Sequence, residues 1–321
     1  MTRYQGGKAA IGTELAAHIM KYAEHVLPES RNYLEPFCGM LSVLTNITNP
    51  QWKRHAADRH PDLIQMHRAI ANGWLPSHDI DLVLFDKHDY DEVKSREHTD
   101  KLKAFIGFGT CHSGMYMSSF VRYTKLNTQN SSAQAAEAGI VNNLVPHLCP
   151  AFGPSDIEFT CQDYRDWGCA PCTDDEEEQQ RHKLQWKDWV IYCDPPYAST
   201  NGYNVKGGDT RKTADFDNEE FWTHMREWSG SHLVFISEYT APDDFVCVWE
   251  KDGINKRHLG RKSADKKTQQ KGNNRKTEKL FVHKEWHTVF ERVKQSREEM
   301  KKQSTTPLQT QEPDAMEWSS E

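Results

Sequence analysis

The sequence predicts an α/β fold built on a parallel sheet, on three observations. Helix-spaced and strand-like runs alternate over residues 1–60, a short strand at 32–35 breaks into the turn Pro36-Phe37-Cys38-Gly39, and an apolar run at 189–193 stops at Asp194-Pro195-Pro196-Tyr197. Strand, glycine turn and helix in that order is the phosphate- and nucleoside-binding arrangement of a Rossmann-like unit. A continuous apolar run of this length suits a strand buried on both faces.

The elements follow in order. Residues 9–26 carry Ile11, Leu15, Ile19, Tyr22 and Val26 at spacings of three or four, which predicts an amphipathic helix ended by Pro28. The strand at 32–35 and its turn run into the apolar 40–44, and a second strand at 55–58 ends in Asp58, followed by a helix over about 61–71. Between about 75 and 155 the strand–helix rhythm fades, Asp and His become frequent, and Gly and Ser punctuate 107–119. An inserted, mainly helical lobe over 61–155 is expected there, with one helix at 133–148. The rhythm returns with a strand at 157–161 before Asp163, the strand at 189–193, a helix at 217–228, a strand at 233–237 and a closing strand at 280–282. Residues 1–60 and 156–288 are thus expected to form one catalytic domain. Residues 289–321, poor in apolar side chains, are expected to be a frayed helix and disordered tail.

Composition narrows the field. Forty Lys and Arg against 47 Asp and Glu give a formal net charge of −7, and only 36% of the 321 residues are hydrophobic. Aromatics nonetheless reach 11%, with ten Trp, so a core can be built and a fully disordered chain is excluded. No apolar stretch approaches the roughly 18 residues of a membrane span, and the first residues lack the apolar core of a signal peptide. A soluble, intracellular protein without a membrane partner is expected. The eight cysteines show no framework spacing and read as reduced thiols. Cys169 and Cys172 form a CxxC near Cys161 and His182, but without a second paired half they read as loop cysteines, and no metal site is assigned. The acid run at 174–178 reads as a solvated loop.

The strongest chemical signal is Asp194-Pro195-Pro196-Tyr197. Two prolines hold the chain rigid while their carbonyls stay free to accept hydrogen bonds. An exocyclic amine could donate one hydrogen to Asp194 and another to the Pro195 carbonyl while Tyr197 stacks on its ring, leaving the nitrogen lone pair aimed at an electrophile. A chance Pro-Pro turn is the plain alternative. Three further pieces weigh against it. After the first strand, Glu35-Pro36-Phe37-Cys38-Gly39 offers a glycine for close backbone approach and a ring to pack on a ligand. Asp58, at the end of the next strand, can take both hydroxyls of a ribose. Tyr4-Gln5-Gly6-Gly7-Lys8 is a glycine-hinged loop with one cation, suited to an amino-acid carboxylate. Singly, each has an ordinary reading as a helix cap or a loop; their order and spacing are harder to reach by accident.

Tyr4-x-Gly-Gly-Lys8, Glu35-Pro-Phe-x-Gly39, Asp58 and Asp194-Pro-Pro-Tyr197, in that order, resemble the Dam-like family of N6-adenine DNA methyltransferases, the alpha group of amino methyltransferases. Asp62-Leu63-Ile64, Cys161-Gln162-Asp163-Tyr164 and Lys276-Thr277-Glu278-Lys279-Leu280-Phe281 resemble its lesser blocks, so the likeness spans most of residues 1–285. One departure is that Gly39 is followed by Met40-Leu41-Ser42-Val43 where the family usually has a second glycine or small residues. The resemblance implies a Rossmann-like methyltransferase fold with a target-recognition lobe at 61–155, S-adenosylmethionine as cofactor and double-stranded DNA as partner. It also implies that Tyr4 and Lys8 hold the methionine end of that donor, Asp58 its ribose and Asp163 its adenine edge, with Gly7, Glu35, Pro36, Phe37 and Gly39 in the same cofactor-binding site. Asp194 would lie between donor and target amine. A cognate restriction nuclease and a homodimer stay open.

The implied reaction is a direct displacement at the methyl carbon on a flipped adenine, needing neither a cysteine nucleophile nor a metal. An acidic protein acting on DNA needs local positive charge. Residues 251–276 hold ten Lys and Arg against two Asp, so Lys256, Arg257, Arg261 and Lys262 are DNA-contact candidates, with Arg122 and Lys125 beside them. His112, Ser113 and Tyr116 are candidates for base contacts. N4-cytosine methylation and a non-catalytic DNA-binding relative are the alternative readings; Asp rather than Ser at 194 favours adenine.

Overall fold

In the computed structural model, the described residues are 7–111, 114–121, 132–149, 157–167, 188–197, 216–252 and 277–304. They build a seven-stranded sheet in the order β3-β2-β1-β4-β5-β7-β6. The strands are β1 (Asn32–Glu35), β2 (Lys53–Asp58), β3 (Ile157–Cys161), β4 (Val190–Cys193), β5 (Leu233–Glu238), β6 (Phe245–Lys251) and β7 (Glu278–His283). β1 to β5 pair in parallel, and β7 runs antiparallel to both β5 and β6. The chain winds from β1 outward to β3, then returns beside β1 as β4 and continues the other way. That reversal leaves a crevice beyond the carboxyl ends of β1 and β4, where ligands bind in open α/β sheets.

The first helix, α1 (Gly12–Val26), buries Leu15, Ala16, Ile19, Tyr22 and Ala23, so the predicted apolar stripe is its packed face. The helix expected just after the β1 turn is absent; only a 3₁₀ turn, Leu44–Asn46, stands there. Gly39 and Leu41 both have positive φ, 45° and 59°, which a right-handed helix cannot accommodate. The start of α1 packs on this turn instead: a Cβ added at Gly12 would lie 1.9 Å from the Ser42 carbonyl oxygen.

Between β2 and β3 the described residues form the helices α2 (Pro61–Ala71), α3 (Lys87–Ser95), α4 (Lys101–Gly109), α5 (Ser132–Asn143) and α6 (Val145–Leu148). Asp86 caps α3 through the His88 and Asp89 N–H groups, and Asp100 caps α4 through the Leu102 N–H. The single helix expected at 133–148 is broken at Leu144, two residues before Pro146, which cannot donate to a continuing helix. These helices share one core with the sheet, in which Ile64, Phe105 and Ile140 join Tyr33, Tyr192 and Phe235.

α7 (Asn218–Ser229) starts at the Asp217 cap and covers the other sheet face with Phe221, Met225 and Trp228. The closing helix, α8 (Lys284–Ser304), continues through 289–304, where a frayed helix and tail were expected. Its first turns are held by Phe290, stacked on Tyr22 at 4.0 Å, and by the Trp286 indole donating to the Ser229 carbonyl at 2.8 Å. The few apolar residues lie near its start, so packing there extends a segment whose composition is otherwise that of a solvated tail. No helix among the described residues is long and apolar enough to cross a membrane.

Gly12→Ala should destabilise the protein by about 3 kcal/mol, since backbone must move to admit the methyl group. Urea unfolding checks this, and a loss under about 0.5 kcal/mol would contradict the close packing of α1 on the β1 turn.

Candidate active site

Each parallel strand from β1 to β4 delivers an acidic residue to the carboxyl edge: Glu35 in β1, Asp58 in β2, Asp163 just after β3 and Asp194 just after β4. All four line one cavity, together with Gly7, Lys8, Pro36, Phe37, Gly39 and Pro196. Sites predicted from separate parts of the sequence are therefore neighbours in space.

One glycine organises the β1 side. Gly39, at φ 45°, donates its N–H to Asp58 Oδ2 at 3.2 Å and accepts at its carbonyl from the buried His67 Nε2 at 2.7 Å. The Cys38 N–H donates to the Ala57 carbonyl at 2.8 Å, fastening the turn to β2. Asp58 Oδ1 accepts the His60 N–H at 2.9 Å. Burial pushes the Asp58 carboxyl up to about 6, against the pull of those two backbone N–H groups. Glu35 is more deeply buried, at 2% exposure, and takes the Tyr33 hydroxyl at 2.8 Å. Desolvation raises its pKa far above the ordinary carboxylate range; the Tyr33 bond opposes this and the nearby Asp194 charge adds to it.

At the β4 corner, the buried Lys8 ammonium donates to Asp194 Oδ1 at 2.6 Å, lies 3.9 Å from Glu278 Oε2, and sits 4.7 Å from the centroid of the Tyr197 ring. Two carboxylates thus converge on one cation. Burial raises the Asp194 pKa, and Lys8 acts against it through charge and hydrogen bond. The Tyr197 hydroxyl donates to Glu278 Oε2 at 3.0 Å, and its ring meets Tyr239 edge-on at 4.7 Å.

The far flank is aromatic. Phe37 packs on Tyr164 at 5.1 Å and Phe216 at 6.1 Å, making a wall suited to a flat ring. Asp163 stands beside it, both oxygens held by Arg165, Nε at 2.9 Å and Nη2 at 3.1 Å. Burial pulls Asp163 up, but these charge-assisted bonds prevail and its pKa lies below the ordinary range.

The arrangement modifies two expectations. Tyr197 is only 7% exposed and lies outside the cavity lining, with Lys8 over its ring, so in this structure it offers no open face to a stacking base. Lys8 is engaged by Asp194 as well as facing the cavity, which ties the expected carboxylate-binding cation to the amine clamp. Tyr116, a candidate base contact, donates its hydroxyl to Asp62 Oδ2 at 2.5 Å while its ring lines the cavity. Pro195 is not among the lining residues. Tyr4, His112, Ser113, Arg122, Lys125, Lys256, Arg257, Arg261, Lys262 and the Cys169/Cys172 pair lie outside the described residues. The roles of His67 and Arg165 carry no signal in the sequence, and Glu278 is marked only by its place in the block at 276–281.

Residues 4–140 match the family model for the D12 class N6 adenine-specific DNA methyltransferases. No curated protein matches the chain. The matched span holds Lys8, Glu35, Gly39 and Asp58, and Asp194 lies beyond it, joined to Lys8 by the 2.6 Å ion pair. Over residues 4–140 the chain is thus similar to the D12 class N6 adenine-specific DNA methyltransferases, and its mostly parallel sheet is consistent with a Rossmann-like methyltransferase fold.

Proposed function

We propose that the enzyme methylates the N6 amine of an adenine turned out of double-stranded DNA, with S-adenosylmethionine as donor and Asp194 as the group that holds the amine. The observation that carries this reading is the convergence of Lys8, Asp58, Asp163 and Asp194 on one crevice at the sheet reversal. The lining suits that donor: the Phe37, Tyr164 and Phe216 wall matches a nucleobase, Asp58 matches sugar hydroxyls, and Lys8 matches a carboxylate. When bound, the donor supplies an electrophilic methyl group.

The chain's own residues do the rest. The Asp194 carboxylate accepts an amine hydrogen, orienting the nitrogen lone pair and placing negative potential where positive charge develops. Lys8 favours the ionised form of Asp194 against the burial that favours its protonated form. Glu278 holds the Tyr197 hydroxyl and so fixes the corner that carries Asp194. Extruding the base costs a few kcal/mol, which contacts in the crevice must offset.

DNA phosphates need a cationic partner on this side of the protein. The basic stretch 253–276 connects β6 to β7, and those strands pair up to Lys251 opposite Glu278, the residue bonded to Tyr197. Both roots of that stretch therefore stand beside the Asp194 corner, which supports a DNA-contact role for Lys256, Arg257, Arg261 and Lys262.

The decisive assay is incubation with labelled S-adenosylmethionine and unmethylated DNA, digestion to nucleosides and identification of the labelled base. N6-methyladenine is expected, and label on cytosine would overturn the reading. Asp194→Ala should lower turnover roughly a thousandfold; near-normal turnover would refute the amine clamp.

Activity needs ionised Asp194, so it is present above that group's pKa and lost as pH falls through it. Removing the Lys8 charge raises that pKa, so Lys8→Met, assayed at saturating donor, should move the acidic limb of the rate profile to higher pH. An unmoved limb would show that Lys8 does not set the Asp194 charge.

Reversing charge at Lys256, Arg257, Arg261 and Lys262 together should weaken DNA binding and flatten its salt dependence while leaving donor affinity unchanged. Unaltered DNA affinity in a titration over salt concentration would remove the segment from the interface.

A further inference from the structure

One side chain on the cavity wall has no role in the reading above. His60 follows Asp58 by two residues, is 6% exposed and lines the cavity. Its ring packs against Tyr116 at 4.4 Å and Phe108 at 5.3 Å, and neither ring nitrogen has a hydrogen-bond partner among the described residues. It stands at the head of α2 yet makes no side-chain cap bond. Leaving buried polar nitrogens unpaired carries a cost that proteins generally avoid. Desolvation, the main cause, lowers the His60 pKa to about 4, so at neutral pH the imidazole is uncharged, with one donor and one acceptor nitrogen.

The position of His60 narrows what it can meet. The aromatic wall suited to a nucleobase is Phe37, Tyr164 and Phe216, and His60 makes no ring contact with it. Its own backbone N–H anchors the Asp58 carboxylate, the group suited to sugar hydroxyls. We infer that His60 is a donor-binding residue whose imidazole hydrogen-bonds a hydroxyl or amine on the sugar-to-amino-acid half of the methyl donor. This rests on the proposed use of S-adenosylmethionine and assigns to this chain a contact beyond Asp58 and Lys8.

The test is calorimetric binding of S-adenosylmethionine, S-adenosylhomocysteine and 5′-methylthioadenosine to the wild-type protein and to His60→Phe and His60→Asn. Phe keeps the ring volume without nitrogens, and Asn keeps a donor and an acceptor. His60→Phe should bind S-adenosylmethionine and S-adenosylhomocysteine about tenfold more weakly, the scale of one buried hydrogen bond, with His60→Asn between it and wild type. Equal weakening for 5′-methylthioadenosine would place the contact on the sugar; weakening confined to the two amino-acid-bearing ligands would place it on the amine. Imidazole ¹⁵N resonances of wild-type protein should shift at one histidine on saturation with S-adenosylhomocysteine, and that signal should be absent in His60→Phe. Wild-type affinity in a folded His60→Phe, or no such shift, overturns the inference. A wild-type protein that binds none of the three ligands would instead refute the donor assignment.

Discussion

The Lys8–Asp194 ion pair is the contact on which the site depends. It joins the loop before α1 to the end of β4 across 186 positions of sequence, and both partners face the crevice. A buried pair of this kind adds little stability by itself, because desolvating two ions costs about as much as their attraction returns. What it does achieve is charge placement. With Glu278 at 3.9 Å, a lone carboxylate at 194 would meet a second acid and a dry environment, and both favour protonation. The ammonium opposes both through its charge and its hydrogen bond, while burial still leaves the Asp194 pKa above its ordinary value.

The same logic runs through the β1 side of the crevice. Gly39 has both backbone hydrogen-bonding groups committed, one to Asp58 and one to His67, so the turn is fixed by groups from β2 and α2. A bulkier continuation through Met40 and Leu41 is tolerated because α1 closes over it, with Gly12 against the Ser42 carbonyl. The place of a missing helix after β1 is thus taken by one that precedes β1. In consequence, Lys8, whose carbonyl accepts the Ile11 and Gly12 N–H groups, is delivered to the acids by the packing of α1.

Much of this was legible in the residues. β1, β3, β4 and β5 announce themselves as apolar or β-branched runs closed by an acid, a proline or a polar turn, and each strand-end acid named from the sequence does face the crevice. β6 escaped because it is an edge strand whose alternation is interrupted by an irregularity between Cys247 and Trp249. α3 and α4 escaped because their caps, Asp86 and Asp100, sit in a stretch where acids are too frequent to stand out as signals. The Lys8–Asp194, His67–Gly39 and Tyr197–Glu278 contacts leave no periodic trace at all. They depend on which distant side chains the topology brings within about 3 Å, and only the folded arrangement reveals that.

The hairpin of β6 and β7 has an architectural corollary. Its two strands stay paired to their tips, so whatever connects Lys251 to Glu278 begins and ends at a single stem. Lengthening such a connection costs only a slowly growing closure entropy and leaves the ladder beneath it untouched. The length and charge of the connecting stretch can therefore change while the acids at the strand ends keep their geometry.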